Sequence, residues 1–75
     1  MKGFIEVNVK EIVDISAPIT TEINNKMLIK ISKRDGYFVV GNTITIITPI
    51  RELAIVCQET YEEIKKKIKE AQEEK

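Results

Sequence analysis

The sequence predicts an α+β fold: a small antiparallel sheet of about five or six short strands, closed by one C-terminal amphipathic helix. Three observations lead there. Apolar residues alternate with polar ones through most of positions 4–57, the period of a half-buried strand. Turn dipeptides punctuate those alternating stretches at short intervals. Near residue 60 the apolar period changes from two to between three and four, which marks a helix over about 60–72. A bias toward β-branched residues agrees: isoleucine and valine supply 20 of 75 residues, against two leucines and no tryptophan, a composition suited to pleated surfaces.

The elements follow in order. Ile5, Val7 and Val9 fall on one face of a first strand, with Glu6, Asn8 and Lys10 on the other. Lys10-Glu11 interrupts the pattern before Ile12-Val13-Asp14-Ile15 resumes it, so the chain either turns sharply there or continues through a bulge. Ala17-Pro18 ends the segment, since proline lacks an amide proton and restricts the residue before it. Thr20 to Asn25 is polar apart from Ile23, and reads as a loop or a short edge strand. Met27 to Ser32 alternates again and leads through Asp35-Gly36 into Tyr37-Phe38-Val39-Val40. An Asp-Gly pair between apolar stretches predicts a hairpin. Gly41-Asn42 fits a type II′ turn into Thr43 to Thr48, so these three strands are expected to form an antiparallel meander. After Thr48-Pro49, Leu53 to Cys57 makes one more strand.

In the last segment Tyr61, Ile64, Ile68 and Ala71 share one helical face and are expected to dock on the sheet. Thr60 and Glu63 have the spacing of a capping box, and Glu62 and Glu63 place negative charge in the first turn. Glu62 with Lys66 and Glu63 with Lys67 add pairs one helical turn apart. No repeat or linker divides the chain, and residues 1–75 read as a single domain.

At this length only about 60% of the unfolded chain's surface can be buried, so there is room for one core. The chain has one cysteine and no histidine, which excludes an internal disulfide and the usual zinc ligand sets. It also removes the commonest general base and the usual partner of a nucleophilic cysteine or serine. Asp14 and Glu6 could share a site, but carboxylates on exposed strand faces are ordinarily solvated. Ser16 and Ser32 lack a nucleophile-elbow context. Cys57, beside Ile55 and Val56, reads as a small buried hydrophobe. The competing possibility is a thiol whose pKa is lowered by the nearby helix N-terminus. Gly3, Gly36 and Gly41 are isolated and form no phosphate loop. No catalytic, cofactor or metal site is expected.

Twelve basic residues balance twelve acidic ones, so no long-range field gathers nucleic acid or an anionic membrane. Two local basic clusters stand out. One is Lys30, Lys33 and Arg34; the other is Lys65, Lys66, Lys67 and Lys69 on the helix. They are the candidate nucleic-acid contacts, with Tyr37 or Phe38 as a stacking platform. Against them, Glu62, Glu63, Glu70, Glu73 and Glu74 interleave with the helical lysines and cancel much of their field. No apolar stretch has the roughly 20 residues that span a bilayer, and nothing resembles a secretory leader. The lone cysteine suits a reducing compartment, so a cytoplasmic protein is expected.

Apolar residues exceed what one sheet face can bury: Ile12 with Val13, Leu28 between Met27 and Ile29, Val39 with Val40, Ile46 with Ile47. One short helix covers one face only, so part of this surplus is expected at the surface, where it invites a second copy or another protein. The expected function is a non-catalytic interaction module that forms a homo-oligomer, with a nucleic-acid-binding accessory or regulatory protein as the alternative.

Two segments carry a resemblance: Phe4-Ile5-Glu6-Val7-Asn8-Val9-Lys10-Glu11-Ile12-Val13-Asp14-Ile15 and Val56-Cys57-Gln58-Glu59-Thr60-Tyr61-Glu62-Glu63-Ile64. Together they resemble a group of small bacterial and phage-borne proteins in which a strand corner precedes a short meander and a capped closing helix. The group is similar in plan to FlbD-type proteins associated with flagellar gene clusters. The matching residues form a corner and a cap, so the resemblance implies a fold and carries over no functional residue. The chain departs from the group in its longer middle, from Thr20 to Val40, and in lacking a hairpin before the first strand.

Overall fold

The computed structural model describes residues 3–31 and 36–73. It contains strands β1 (Phe4–Asp14), β2 (Ile19–Lys30), β3 (Tyr37–Val40), β4 (Thr43–Ile47) and β5 (Glu52–Cys57), followed by helix α1 (Tyr61–Glu73). The strands form one five-stranded sheet in the order β2-β1-β5-β4-β3, and every pairing is antiparallel. The α+β fold with a C-terminal helix is therefore as the sequence predicts.

At Lys10-Glu11 the chain continues through a bulge. The register of β1 shifts between Val9 and Glu11 against both β2 and β5. Opposite it, Asn24 of β2 has a φ of 48°, a left-handed conformation that asparagine tolerates. The paired irregularities bend both strands. The first turn is held by Asp14, whose Oδ1 accepts hydrogen bonds from the amides of Ser16 at 3.1 Å and Ala17 at 3.2 Å. Thr20 to Asn25 belongs to β2, which runs for 12 residues along the sheet edge, so this segment is an edge strand far longer than its polarity suggests.

The expected meander is corrected. β2 pairs with β1, Ile5 opposite Ile29 and Val7 opposite Met27, while β3 lies at the other edge of the sheet. Local turn chemistry at Asp35-Gly36 is outweighed by the longer apolar register that β1 offers β2; Asp35 itself lies outside the described residues. The turn at Gly41-Asn42 does join β3 to β4, with Val40 opposite Thr43 and Gly41 at a φ of 58°, as a type II′ turn requires.

The core lies on the inner face. Ile5, Val7, Val9, Ile29, Ile44, Ile55 and Cys57 meet Ile64, Ile68 and Ala71 of the helix. Burying an isoleucine side chain contributes about 1.5 to 3 kcal/mol, so Ile64 and Ile68 hold α1 in place. Its ends are also tied. Glu63 Oε1 accepts from the Thr60 amide at 3.1 Å while the Glu63 amide donates to Thr60 Oγ1 at 3.3 Å, the predicted capping box. At the other end Gly3 N–H donates to the Ala71 carbonyl at 3.2 Å, and Gln72 Nε2 donates to the Tyr37 hydroxyl at 2.6 Å. Tyr61 departs from expectation: it is the first helical residue and is 42% exposed, whereas Ile64 one turn on is buried.

Candidate interaction surface

Cross-strand registers define what the sheet presents on the face away from the core. One row runs Phe38–Thr45–Ala54–Val13–Thr20 across all five strands, and it contains no charge. The next runs Val40–Thr43–Val56–Glu11–Glu22. On the other side of the first row Ile47 stands opposite Glu52, and the Ile15 amide donates to the Glu52 carbonyl at 3.0 Å. Phe38, Val40, Ile47 and Ile15 are all well exposed. Water thus contacts a surface of aromatic and branched side chains whose only charges, among these rows, are the carboxylates of Glu11, Glu22 and Glu52. The surplus of apolar residues is where the sequence places it, on the face the helix cannot reach.

The two sheet edges differ in chemistry. Edge strand β2 carries Glu22, Lys26 and Lys30 and is bent at Asn24, and charge and bulges both discourage pairing with another strand. Lys26 Nζ lies 3.8 Å from Glu6 Oε1. Edge strand β3 is Tyr-Phe-Val-Val, with neither charge nor proline. Its hydrogen-bonding directions follow from the turn. In a two-residue hairpin the closing pair, Val40 and Thr43, exchanges hydrogen bonds, and pairs alternate thereafter. Ile47 N–H accordingly donates to the Gly36 carbonyl at 3.2 Å. Val40, Phe38 and Gly36 thus face β4, which directs the N–H and C=O groups of Tyr37 and Val39 to the open side. Among the described residues nothing takes them up.

The residues singled out from sequence fall elsewhere. Lys30 ends β2, while Lys65, Lys66 and Lys69 line the exposed side of α1 and Lys67 is half-buried; Lys33 and Arg34 lie outside the described residues. No described contact draws Lys30 and the helical lysines into one site. Asp14 and Glu6 occupy opposite ends of β1, Asp14 engaged in its turn and Glu6 beside Lys26. Ser16 Oγ accepts from the Glu52 amide at 3.2 Å, and Ser32 lies outside the described residues.

Cys57 is fully buried and its thiol donates to the Ile55 carbonyl at 3.6 Å. Burial, aided by the negative charge of Glu59, pushes the thiol up to about 11, the reverse of what activation by the helix N-terminus would do. Among the described residues no cluster of three or more histidine, cysteine, aspartate or glutamate side chains is placed to hold a metal ion. No helix of the described chain is long and apolar enough to cross a membrane.

A groove of about 350 Å³ opens at the end of the inner face that the helix leaves bare, lined by Ile12, Ile19, Ile23 and Leu53 with Asp14 and Arg51 at its rim. Its acid is already committed to the Ser16 and Ala17 amides.

In comparisons with known proteins, no family model, no curated protein and no solved structure matches the chain. The open β3 edge and the apolar outward face were only half legible in the sequence. The surplus of apolar residues pointed to the face. The edge depends on strand order, which no local signal encodes.

Proposed function

We propose that the chain is a non-catalytic protein–protein interaction module of the cytoplasm that self-associates through its sheet. One observation carries the reading: the uncharged outward row that begins at the exposed Phe38 is continuous with an edge strand whose outward backbone groups are open among the described residues. An apolar surface of this kind gains by excluding water, and an open edge gains by pairing. The free, buried cysteine suits a reducing compartment. Nucleic acid is the weaker alternative, because the rows that begin at Phe38 and Val40 carry no lysine or arginine, and Lys26, farther along the same face, lies beside Glu6.

Light scattering coupled to gel filtration is the test, run at tens of micromolar in low salt and again in about 0.5 M sodium chloride, where screening is nearly complete. A species heavier than the 8.6 kDa chain, persisting in high salt, is expected. A monomer throughout overturns the reading.

A further inference from the structure

We infer that the partner is a second copy of this chain, docked antiparallel along β3 about a twofold axis through Phe38, so that two five-stranded sheets become one. The inference rests on the self-association reading and specifies its surface. It is carried by the hydrogen-bonding pattern of β3 and by the contrast between the two edges.

Self-pairing of an antiparallel edge must satisfy two conditions. Outward backbone groups have to meet their complements, and side chains on one face have to meet side chains on the same face, since a one-residue slip exchanges the faces. With Tyr37 opposite Val39 of the second copy, and Val39 opposite Tyr37, both conditions hold. Each pair exchanges N–H···O=C bonds in both directions, which takes up every outward group of Tyr37 and Val39. Phe38 then stands opposite its own copy in the closely spaced, non-hydrogen-bonded position. The two rings join the uncharged outward rows of the two sheets across the axis, an aromatic pair of the kind that stabilises adjacent strands. Shifting the register by one residue sets the outward Phe38 against the inward Val39. The β2 edge is less suited to such pairing, because its regular stretch from Lys26 to Lys30 begins and ends in lysine and Asn24 interrupts the repeat beyond it.

The geometry makes a specific covalent test available. Non-hydrogen-bonded partners have Cα atoms about 4.5 Å apart, within the range a disulfide spans. In the proposed register Val40 and its copy are displaced along the strands by roughly 14 Å, far beyond that range. Phe38→Cys is therefore expected to give a disulfide-linked dimer under mild oxidation, while Val40→Cys, Leu28→Cys and the unmodified chain, whose cysteine is buried, are not.

Val39→Pro removes an outward donor without touching the β3–β4 ladder. Phe38→Lys places charge at the axis. Both are expected to run as monomers, with circular dichroism unchanged in whichever variant folds. Should either folded variant remain dimeric, or cross-linking occur through Val13→Cys or Leu28→Cys in place of Phe38→Cys, the β3 register is overturned while self-association stands. A wild-type chain that is monomeric at every concentration overturns both.

Discussion

The Glu59 carboxylate accepts hydrogen bonds from both the backbone and the side chain of Asn8. The amide lies 3.1 Å from Oε1 and 3.0 Å from Oε2, and Nδ2 lies 3.0 Å from Oε2. β5 ends at Cys57 while β1 runs on toward Phe4, so Asn8 lies just past the last ladder rung that β5 supplies. Gln58 N–H reaches the Asn8 carbonyl at 2.8 Å, and Glu59 provides the acceptor that a longer β5 would have offered. Two segments 51 residues apart are joined at the point where strand gives way to helix.

Removing that acceptor leaves a part-buried donor unpaired. Glu59→Ala is expected to cost about 1.5 to 3 kcal/mol, the range for hydrogen bonds to charged groups, and Glu59→Gln less, since its amide oxygen still accepts. Urea unfolding of the three proteins measures the difference. An alanine variant within about 0.5 kcal/mol of wild type, the scale of an ordinary surface change, would show that the contact contributes little.

Helix docking separates residues that sequence periodicity groups together. Ile64→Ala and Ile68→Ala each leave a cavity and should cost roughly 2 to 5 kcal/mol. Lys66→Ala should cost under about 0.5 kcal/mol. Tyr61→Ala should cost less than either isoleucine change, because Tyr61 is 42% exposed while Ile64 and Ile68 are buried. Equal losses at Tyr61 and Ile64 in chemical denaturation would contradict the packing seen here.

Cys57 should resist thiol reagents at pH 8 in the folded protein and react promptly once urea unfolds it. Its folded pKa, about 11, is above the usual value of 9.0. The neutral thiol's contribution to stability is therefore fully present below pH 9 and is lost as pH rises through 11. The slope is at most about 1.4 kcal/mol per pH unit. Comparison with Cys57→Ala isolates this from lysine and tyrosine titration, and the variant's stability curve should be flatter between pH 9 and 11. Parallel curves would rule the effect out.

The capping box gives the opposite sign. Hydrogen bonds from the backbone and hydroxyl of Thr60, with Lys67 adding less, hold the Glu63 carboxyl below its ordinary 4.5. Its contribution is present above pH 4.5 and is lost as acid takes the pH down through the lower folded value. Helicity measured by circular dichroism should fall with acid over that window in wild type, and less so in Glu63→Gln. An identical acid response in the two proteins would remove Glu63 from the account.

Salt distinguishes the proposed interface from the alternative. Binding that neutralises several phosphates weakens by orders of magnitude between about 50 and 200 mM salt, whereas apolar burial does not. Binding to random DNA or RNA is expected to be undetectable at micromolar protein in about 0.15 M salt. Tight, steeply salt-dependent binding that is lost in Lys65→Glu/Lys66→Glu would promote the nucleic-acid reading.

Local order was legible because it is set by neighbours in the chain. Ile5, Val7 and Val9 alternate into the core, Gly41 supplies the positive φ of its turn, and Thr60 with Glu63 starts the helix. Each outcome depends on residues within one or two turns of backbone, so periodicity and turn chemistry determine it. The partner of β2 depends instead on which distant apolar register gains most by burial. Val7 and Ile5 offered Met27 and Ile29 a longer match than the nearby Tyr37 to Val40, and Asp35-Gly36 could not reveal that competition. Tertiary structure alone therefore decided that β3 became an edge, that its open groups belong to Tyr37 and Val39, and that Glu59 meets Asn8. Those features arise from contacts between segments far apart in sequence, whose relative energies no local pattern records.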